Sequence, residues 1–402
     1  MRLDFYIPPR FERRIKNNAI KTEFDEIWEW MGRYQMTGWY YYLGSTDLDK
    51  VTAKAQKMDL NQMDYVLCFG TGGSYQGVEM LLQFSPYKNK FIFVGPSLDP
   101  EEIQKIMEKI KGKKIGVNLI SKSGGTLEIM IFLNLFKPFL QQAAWLCLIT
   151  SNQEFVDFIK EHFKKAEIFH FEIAKDIGGR FSIASSMGLV IATQGGLSFD
   201  DFSEQFLLAR KEMENGDNMI PFERGIARYL FFTHGKILEN LATNSKKIMP
   251  TLKWARQLWA ESNGKEYKSM FISTGFYPED AHSVGQIWKE GPRKVTETYF
   301  VVEEQNNDIV FDPSLVFKDL SLQENSLNKI NLAFSEAMIE DRFECGIPVS
   351  VYRLPKMDLA TWGRLAFNEM AAVVVEAYLL GVNPFNQPGV ESYKAKVKEK
   401  IL

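Results

Sequence analysis

The sequence predicts an α/β fold in which mostly parallel sheets are covered by helices. Three observations carry that prediction. Short apolar, β-prone runs alternate with segments of helical apolar spacing from Asp64 onward. Two of the strand-to-helix turns, Gly70-Thr71-Gly72-Gly73-Ser74 and Ser121-Lys122-Ser123-Gly124-Gly125-Thr126, are built from glycines and hydroxyls. The second half of the chain sets long helical patterns between further strand-like runs. A βαβα rhythm of this kind argues for parallel strands with helices packed on their faces.

Residues 1–43 are aromatic-rich, and the expectation is a helical segment packing on the lobes. The first lobe is expected over residues 44–198. Its candidate strands are Tyr65–Phe69, Phe91–Val94, Val117–Ser121, Trp145–Thr150 and Ile168–Phe171. Helical patterns fall between them at Gln76–Gln83, Glu101–Lys111, Leu127–Leu140 and Glu154–Phe163. Gly195-Gly196 to Ser198-Phe199-Asp200-Asp201 reads as a loop, so the boundary is placed there. The second lobe, residues 199–402, carries helical patterns at Phe222–Thr243 and Asp358–Gly381. Strand-like runs Met270–Ser273, Thr298–Val302 and Val349–Arg353 separate them, and Pro292, Pro384 and Pro388 punctuate the loops.

A chain of 402 residues is long enough for two domains at the usual ~150 residues each. Lys plus Arg number 48 against 51 Asp plus Glu, a formal net charge of −3. That balance gives no general drive toward nucleic acid or an anionic membrane. Arg10, Arg13, Arg14 and Lys16 interleave with Phe11 and Ile15 and read as a solvated helix face. Cys68, Cys147 and Cys345 are far apart and form no CxxC pair, so neither a disulfide framework nor a metal site is expected. Met1–Pro9 has no signal-peptide core, and the apolar stretch Met370–Val382 is too short to span a bilayer and contains Glu376. The expectation is a cytoplasmic enzyme.

Glycines and hydroxyls at a strand-to-helix turn suit a phosphate, because backbone N–H groups converge and the helix N-terminus favours negative charge. Nucleotide signatures fail on spacing. A GxGxxG pattern needs glycine where Tyr75 stands, and Lys122 precedes its glycines instead of following them as in a P-loop. Either turn alone could be an ordinary tight turn. Two in succession point to a divided cradle for one monophosphorylated ligand.

Further segments bear on identity. Asp176-Ile177-Gly178-Gly179-Arg180-Phe181-Ser182-Ile183-Ala184-Ser185-Ser186-Met187-Gly188 and Phe385-Asn386-Gln387-Pro388-Gly389-Val390-Glu391-Ser392-Tyr393-Lys394 closely resemble signatures of the glucose-6-phosphate isomerase family. Glu290-Gly291-Pro292-Arg293 to Glu297-Thr298 is similar to a stretch of its Bacillus-like branch. Ser121–Thr126 resembles the family's SKSGTT loop, and Gly70–Ser74 its GIGGS. The motifs run in family order. The resemblance implies two SIS-type (sugar isomerase) α/β/α sandwich domains with mostly parallel sheets, and an active site between them in a homodimer. It also implies interconversion of glucose 6-phosphate and fructose 6-phosphate in glycolysis and gluconeogenesis, with no metal and no organic cofactor. Ring opening precedes proton transfer through a cis-enediolate.

A base that moves a carbon-bound proton suits a carboxylate held partly out of water. By resemblance this is Glu261, in Trp259-Ala260-Glu261-Ser262-Asn263-Gly264-Lys265; its bland alternative is a surface glutamate near a helix end, and Glu290 is the competing base. Ring opening needs a proton donor near neutral pH, which suits imidazole. Of His162, His170, His234 and His282, the last matches the family's DLHSLGQ segment. The resemblance also gives Lys394 a role in ring opening, and Arg180 is expected to face the charge that develops on the enediolate oxygens. Phosphate contacts carried over are Ser74, Ser121, Ser123 and Thr126, with Gly73 allowing close backbone approach. Gln387 is expected on the sugar. Gly125 stands where the family has a threonine, which removes one hydroxyl from the cradle, and Thr71 replaces an isoleucine. The alternatives are a mannose 6-phosphate-active isomerase and a non-catalytic SIS sugar-phosphate sensor. No nucleic-acid or membrane partner is expected.

Overall fold

The computed structural model describes residues 1–21, 24–316, 318 and 321–401. Among them are ten strands: β1 (Arg2–Tyr6), β2 (Tyr65–Phe69), β3 (Phe91–Val94), β4 (Ile115–Ile120), β5 (Trp145–Ile149), β6 (Glu167–Phe171), β7 (Leu238–Thr243), β8 (Phe271–Phe276), β9 (Val295–Glu304) and β10 (Val349–Lys356). The chain divides into two units. One is continuous, Tyr34–Ser203; the other joins Met1–Arg33 to Glu204–Leu402.

The continuous unit holds a five-stranded sheet in the order β3-β2-β4-β5-β6, parallel throughout. Strands buried on both faces read as unbroken apolar runs, which makes these five legible in the sequence. Alternate residues serve opposite faces. Leu67, Phe69, Val117, Leu119, Leu146 and Leu148 form one core with the Pro100–Ile110, Leu127–Leu135 and Gln153–His162 helices. On the other face Asn118 donates to Gln194 Oε1 at 2.8 Å and to Cys68 Sγ at 3.4 Å, so a buried amide pair sits under the Ser186–Gln194 helix. The sheet is therefore covered on both sides.

The second unit's sheet runs β1-β10-β9-β7-β8. Its strands β7 to β10 are parallel, while β1 lies antiparallel on β10, pairing Arg2 with Arg353 and Tyr6 with Val349. Two expectations fail here. The N-terminal segment is not helical throughout: Arg2–Tyr6 closes a sheet edge before the Pro9–Lys21 helix begins. The expected helix Phe222–Thr243 is a helix only over Ile220–Thr233. Gly235, at φ +82°, turns the chain, and Leu238–Thr243 is β7, an interior strand between β9 and β8. Glu239 and Asn240 on that strand are buried, and their polarity hid its identity.

Those polar groups belong to an ionic core. Arg224 Nη1 lies 2.7 Å from Glu239 Oε1, Arg228 also pairs with Glu239, and Arg228 Nε lies 3.2 Å from Glu376 Oε2. Burial lowers the Arg228 guanidinium to about 10, with Glu376 opposing the shift. The guanidinium carbon sits 4.2 Å from the Trp259 ring centroid, and Trp259 Nε1 donates to Glu369 Oε2 at 2.6 Å. A buried charge is tolerated only where partners replace its water, as here.

Candidate functional site

In the first sheet the strand order reverses at β2, which has β3 on one side and β4 on the other. Open α/β sheets bind ligands outside the carboxyl ends of strands at such a switch point. Both glycine-hydroxyl turns lie there, one after β2 and one after β4, whose ends pair Phe69 with Leu119.

The first turn leads from β2 into the Gly73–Leu82 helix. Gly72, at φ +54°, needs the freedom of glycine. Gly73 is needed for a different reason: a Cβ there would lie 2.3 Å from the Gly179 carbonyl and 2.5 Å from Arg180 N. The turn therefore rests on the backbone of the Gly179–Ala184 3-10 segment that carries Arg180. Arg180 is buried, with its guanidinium carbon 5.6 Å from the Phe181 ring centroid, and Ser74 is half-buried in the first helical turn.

The second turn is held from within. Ser121 Oγ accepts from Gly124 N at 3.1 Å and lies 2.9 Å from Thr126 Oγ1, while Ser123 Oγ accepts from Gly125 N at 3.4 Å. Thr126 occupies the N-cap of the Leu127–Leu135 helix without capping it by side chain; its hydroxyl turns to Ser121 instead. A Cβ added at Gly125 would meet nothing within 4 Å, so the missing hydroxyl leaves open space. Lys122, given no role from sequence, donates to the Lys175 carbonyl at 2.7 Å and so braces this turn to the segment leading to Arg180. Burial lowers its ammonium from the ordinary value, and Asp176 opposes that shift. The continuous unit thus gathers Gly73, Ser74, Ser121, Ser123, Thr126 and Arg180 around backbone N–H groups at two helix starts, a place suited to a phosphate ester.

The other unit carries the remaining candidates. Glu261 is half-buried in the last turn of the Met249–Asn263 helix, with Gln257 Nε2 donating to its Oε1 at 2.9 Å. Its neighbours Trp259, Ser262 and Asn263 face the core. Lys265 Nζ reaches the carbonyls of Glu261 and Asn383, at 2.8 and 2.7 Å, which ties this helix end to the segment preceding Gln387. Gln387 is half-buried just before the Pro388–Val390 turn, and Lys394 Nζ lies 3.2 Å from Glu391 Oε1 on the Glu391–Ile401 helix. Glu290 is exposed at the end of the Gly285–Glu290 helix and accepts from Gln286.

His282 stands apart from Glu261. It is exposed and follows the carboxyl end of β8, whereas Glu261 precedes the amino end of that strand. A strand of this length spans roughly 17–20 Å. Within one copy the unit holds these two residues beyond opposite ends of its edge strand β8.

Residues 49–277 match the family model described as phosphoglucose isomerase. That match spans more than half of the chain. The chain belongs to the phosphoglucose isomerase family. The glucose-6-phosphate isomerase of Staphylococcus saprophyticus is 30% identical over 85% of this chain and 81% of its own length. Among solved structures, a hypothetical protein of Thermus thermophilus superposes with a TM-score of 0.87 at 22% identity, covering 100% of this chain and 99% of that one. The glucose-6-phosphate isomerase of Chlamydia trachomatis superposes with a TM-score of 0.75 at 19% identity, covering 88% of this chain and 73% of that one. These superpositions carry the fold, two layered α/β units with mostly parallel sheets. Among the described residues no helix is long and apolar enough to cross a membrane.

Proposed function

We propose that this phosphoglucose isomerase family member is an aldose–ketose isomerase that interconverts glucose 6-phosphate and fructose 6-phosphate. The observation that carries the reading is the pair of glycine-hydroxyl turns on adjacent strands at the switch point, with Arg180 packed against Gly73. Hydroxyls of Ser74, Ser121, Ser123 and Thr126 take the phosphate together with backbone N–H groups. Arg180 faces the oxygens that become the enediolate, where a fixed cation in a water-poor site acts most strongly.

His282 and Lys394 open the ring by exchanging a proton with its oxygen, and Gln387 contacts the sugar. Glu261 then removes the proton from C2 of the open aldose and returns it to C1, as one hydroxyl proton moves from O2 to O1. A half-buried carboxylate held by Gln257 suits that task. The wide separation of Glu261 and His282 within one copy supports a homodimer in which each site takes its histidine from the other chain. We place the reaction in glycolysis and gluconeogenesis in the cytoplasm.

The test is turnover. Purified protein given fructose 6-phosphate, with NADP and glucose-6-phosphate dehydrogenase as the coupling system, should reduce NADP. Mannose 6-phosphate offered in parallel, through its own coupling enzymes, defines selectivity. Folded protein that binds fructose 6-phosphate without turning it over would make the chain a sensor instead. Glu261→Gln should abolish exchange of solvent hydrogen into C1 and C2 while sugar-phosphate binding survives; if exchange persists and Glu290→Gln removes it, the base is Glu290.

A further inference from the structure

We propose that Lys265 is a positioning residue for the proton-shuttling carboxylate, pinning the helix end that carries Glu261 to the segment that leads to Gln387 and Lys394. The inference rests on the assignment of Glu261 as the base. Lys265 Nζ lies 2.8 Å from the carbonyl oxygen of Glu261, 2.5 Å from that of Ser262 and 2.7 Å from that of Asn383. An ammonium carries three N–H donors, and three carbonyls from two distant segments converge on this one. Two of them belong to the last turn of the Met249–Asn263 helix, where carbonyls lack intrahelical partners and a cation is favoured.

The Asn383 side supplies the other anchor. The Leu359–Leu380 helix ends at Gly381, at φ +68°, and Asn383 Oδ1 then accepts from Phe385 N at 2.9 Å. Elsewhere the two helices are joined along their flanks: Trp259 donates to Glu369, and Asn263 Nδ2 donates to Glu376 Oε2 at 2.6 Å. Those contacts fix helix against helix. Lys265 reaches past the end of the longer helix, to the backbone from which Gln387 and Lys394 follow.

The turn after Lys265 gives independent support. Glu266, Tyr267 and Ser269 have φ of +52°, +60° and +68°, so three of four successive residues are left-handed and none is glycine. Such backbone persists only where its surroundings hold it. Lys265 anchors one side of it, and Lys268, donating to the Leu380 carbonyl at 2.9 Å, anchors the other. The chain accepts an unfavourable turn here and keeps the ammonium on its three carbonyls.

The consequence is alignment. Proton transfer between adjacent carbons needs the carboxylate placed closely, and a displacement of about 1 Å can lower the rate on the order of 10²-fold. Lys265→Met keeps the stem and removes the donors. It should lower kcat by about 10–100-fold, with exchange of solvent hydrogen falling in parallel and KM for fructose 6-phosphate nearly unchanged. Lys268→Met, which removes the outer anchor to Leu380 but leaves Lys265 on its three carbonyls, should lower kcat by less than Lys265→Met does. In Lys265→Ala, added n-propylammonium should recover part of the lost kcat. Wild-type kcat in Lys265→Met, or an equal loss in Lys268→Met, overturns the proposal. If Lys265→Met does not fold, Lys265→Arg serves: its planar fork keeps the charge but cannot converge on three carbonyls, so kcat should still fall, and wild-type kcat overturns the proposal. Full activity in Glu261→Gln would sink the base assignment itself. An inactive Glu261→Gln beside a fully active Lys265→Met would sink only the clamp.

Discussion

Gly73 and Arg180 meet backbone to backbone: a Cβ on the first would lie 2.5 Å from the nitrogen of the second. The turn proposed to receive the phosphate and the segment that carries Arg180 are therefore one mechanical piece. Gly73→Ala should separate them. Because the obstructing atoms are backbone, relief needs chain movement, and kcat/KM should fall on the order of 10²-fold. Steady-state kinetics on protein with an unchanged far-UV spectrum checks this; near-wild-type kcat/KM would contradict it.

Arg180 itself should act on the transition state more than on binding. Arg180→Gln is expected to lower kcat by ~10²–10³, the usual loss for one preorganised electrostatic contact. Titration with a non-reacting sugar phosphate should show binding largely retained. A rise in KM with kcat unchanged would instead make Arg180 part of the phosphate grip.

Gly125 offers the opposite kind of substitution. Nothing lies within 4 Å of an added Cβ, and its φ is not in the left-handed region, so a threonine fits. Gly125→Thr should place one more hydroxyl beside Ser121 and Thr126 and tighten competitive inhibition by inorganic phosphate. A net hydrogen bond to a charged group contributes about 1.5–3 kcal/mol, which sets the upper limit of the gain. An inhibition constant that does not fall would show that the open position does not face the phosphate.

Glu261 and His282, beyond opposite ends of β8, invite a mixing experiment. Chains carrying Glu261→Gln and chains carrying His282→Ala should each be nearly inactive. Unfolded together and refolded as a mixture, they should recover about a quarter of wild-type turnover, since half of the dimers pair unlike chains and each such dimer holds one intact site. No recovery would place both residues of a site on the same chain.

The ionic core beneath Trp259 should matter to stability before it matters to chemistry. Arg228→Met leaves Glu239 and Glu376 without their shared cation, in surroundings that exclude water. Breaking a buried pair from one side costs about 3–5 kcal/mol. Urea unfolding should show that loss with an unchanged slope. A stability equal to wild type would mean that water or a compensating proton reaches the two carboxylates.

Sequence pattern exposed the first sheet well and the second only in part. Val66–Phe69 and Ile115–Ile120 are buried along their whole length, so apolar composition alone marked them. β7 escaped because Glu239 and Asn240 look like solvent-facing residues until Arg224 and Arg228 reach Glu239 from the preceding helix and Glu297 reaches Asn240 from β9. β1 escaped because a half-buried edge strand of five residues next to a helix has little periodicity of its own. The glycine-hydroxyl turns were legible as strand-to-helix turns because their chemistry is local. Lys122 and Lys265 were not, since a lysine whose ammonium bonds backbone carbonyls is indistinguishable in sequence from one that faces water.

The discontinuity of the second unit has a consequence for biosynthesis. Tyr34–Ser203 is an unbroken stretch with its own five-stranded sheet, so it can close while the ribosome is still at work. Met1–Arg33 emerges earlier yet must wait for β10, which comes out nearly 350 residues later, before Arg2–Tyr6 has a strand to lie on. Until then that segment presents Phe5, Tyr6 and an amphipathic helix to its surroundings, and nascent chains of this protein are the form in which chaperone engagement is most to be sought.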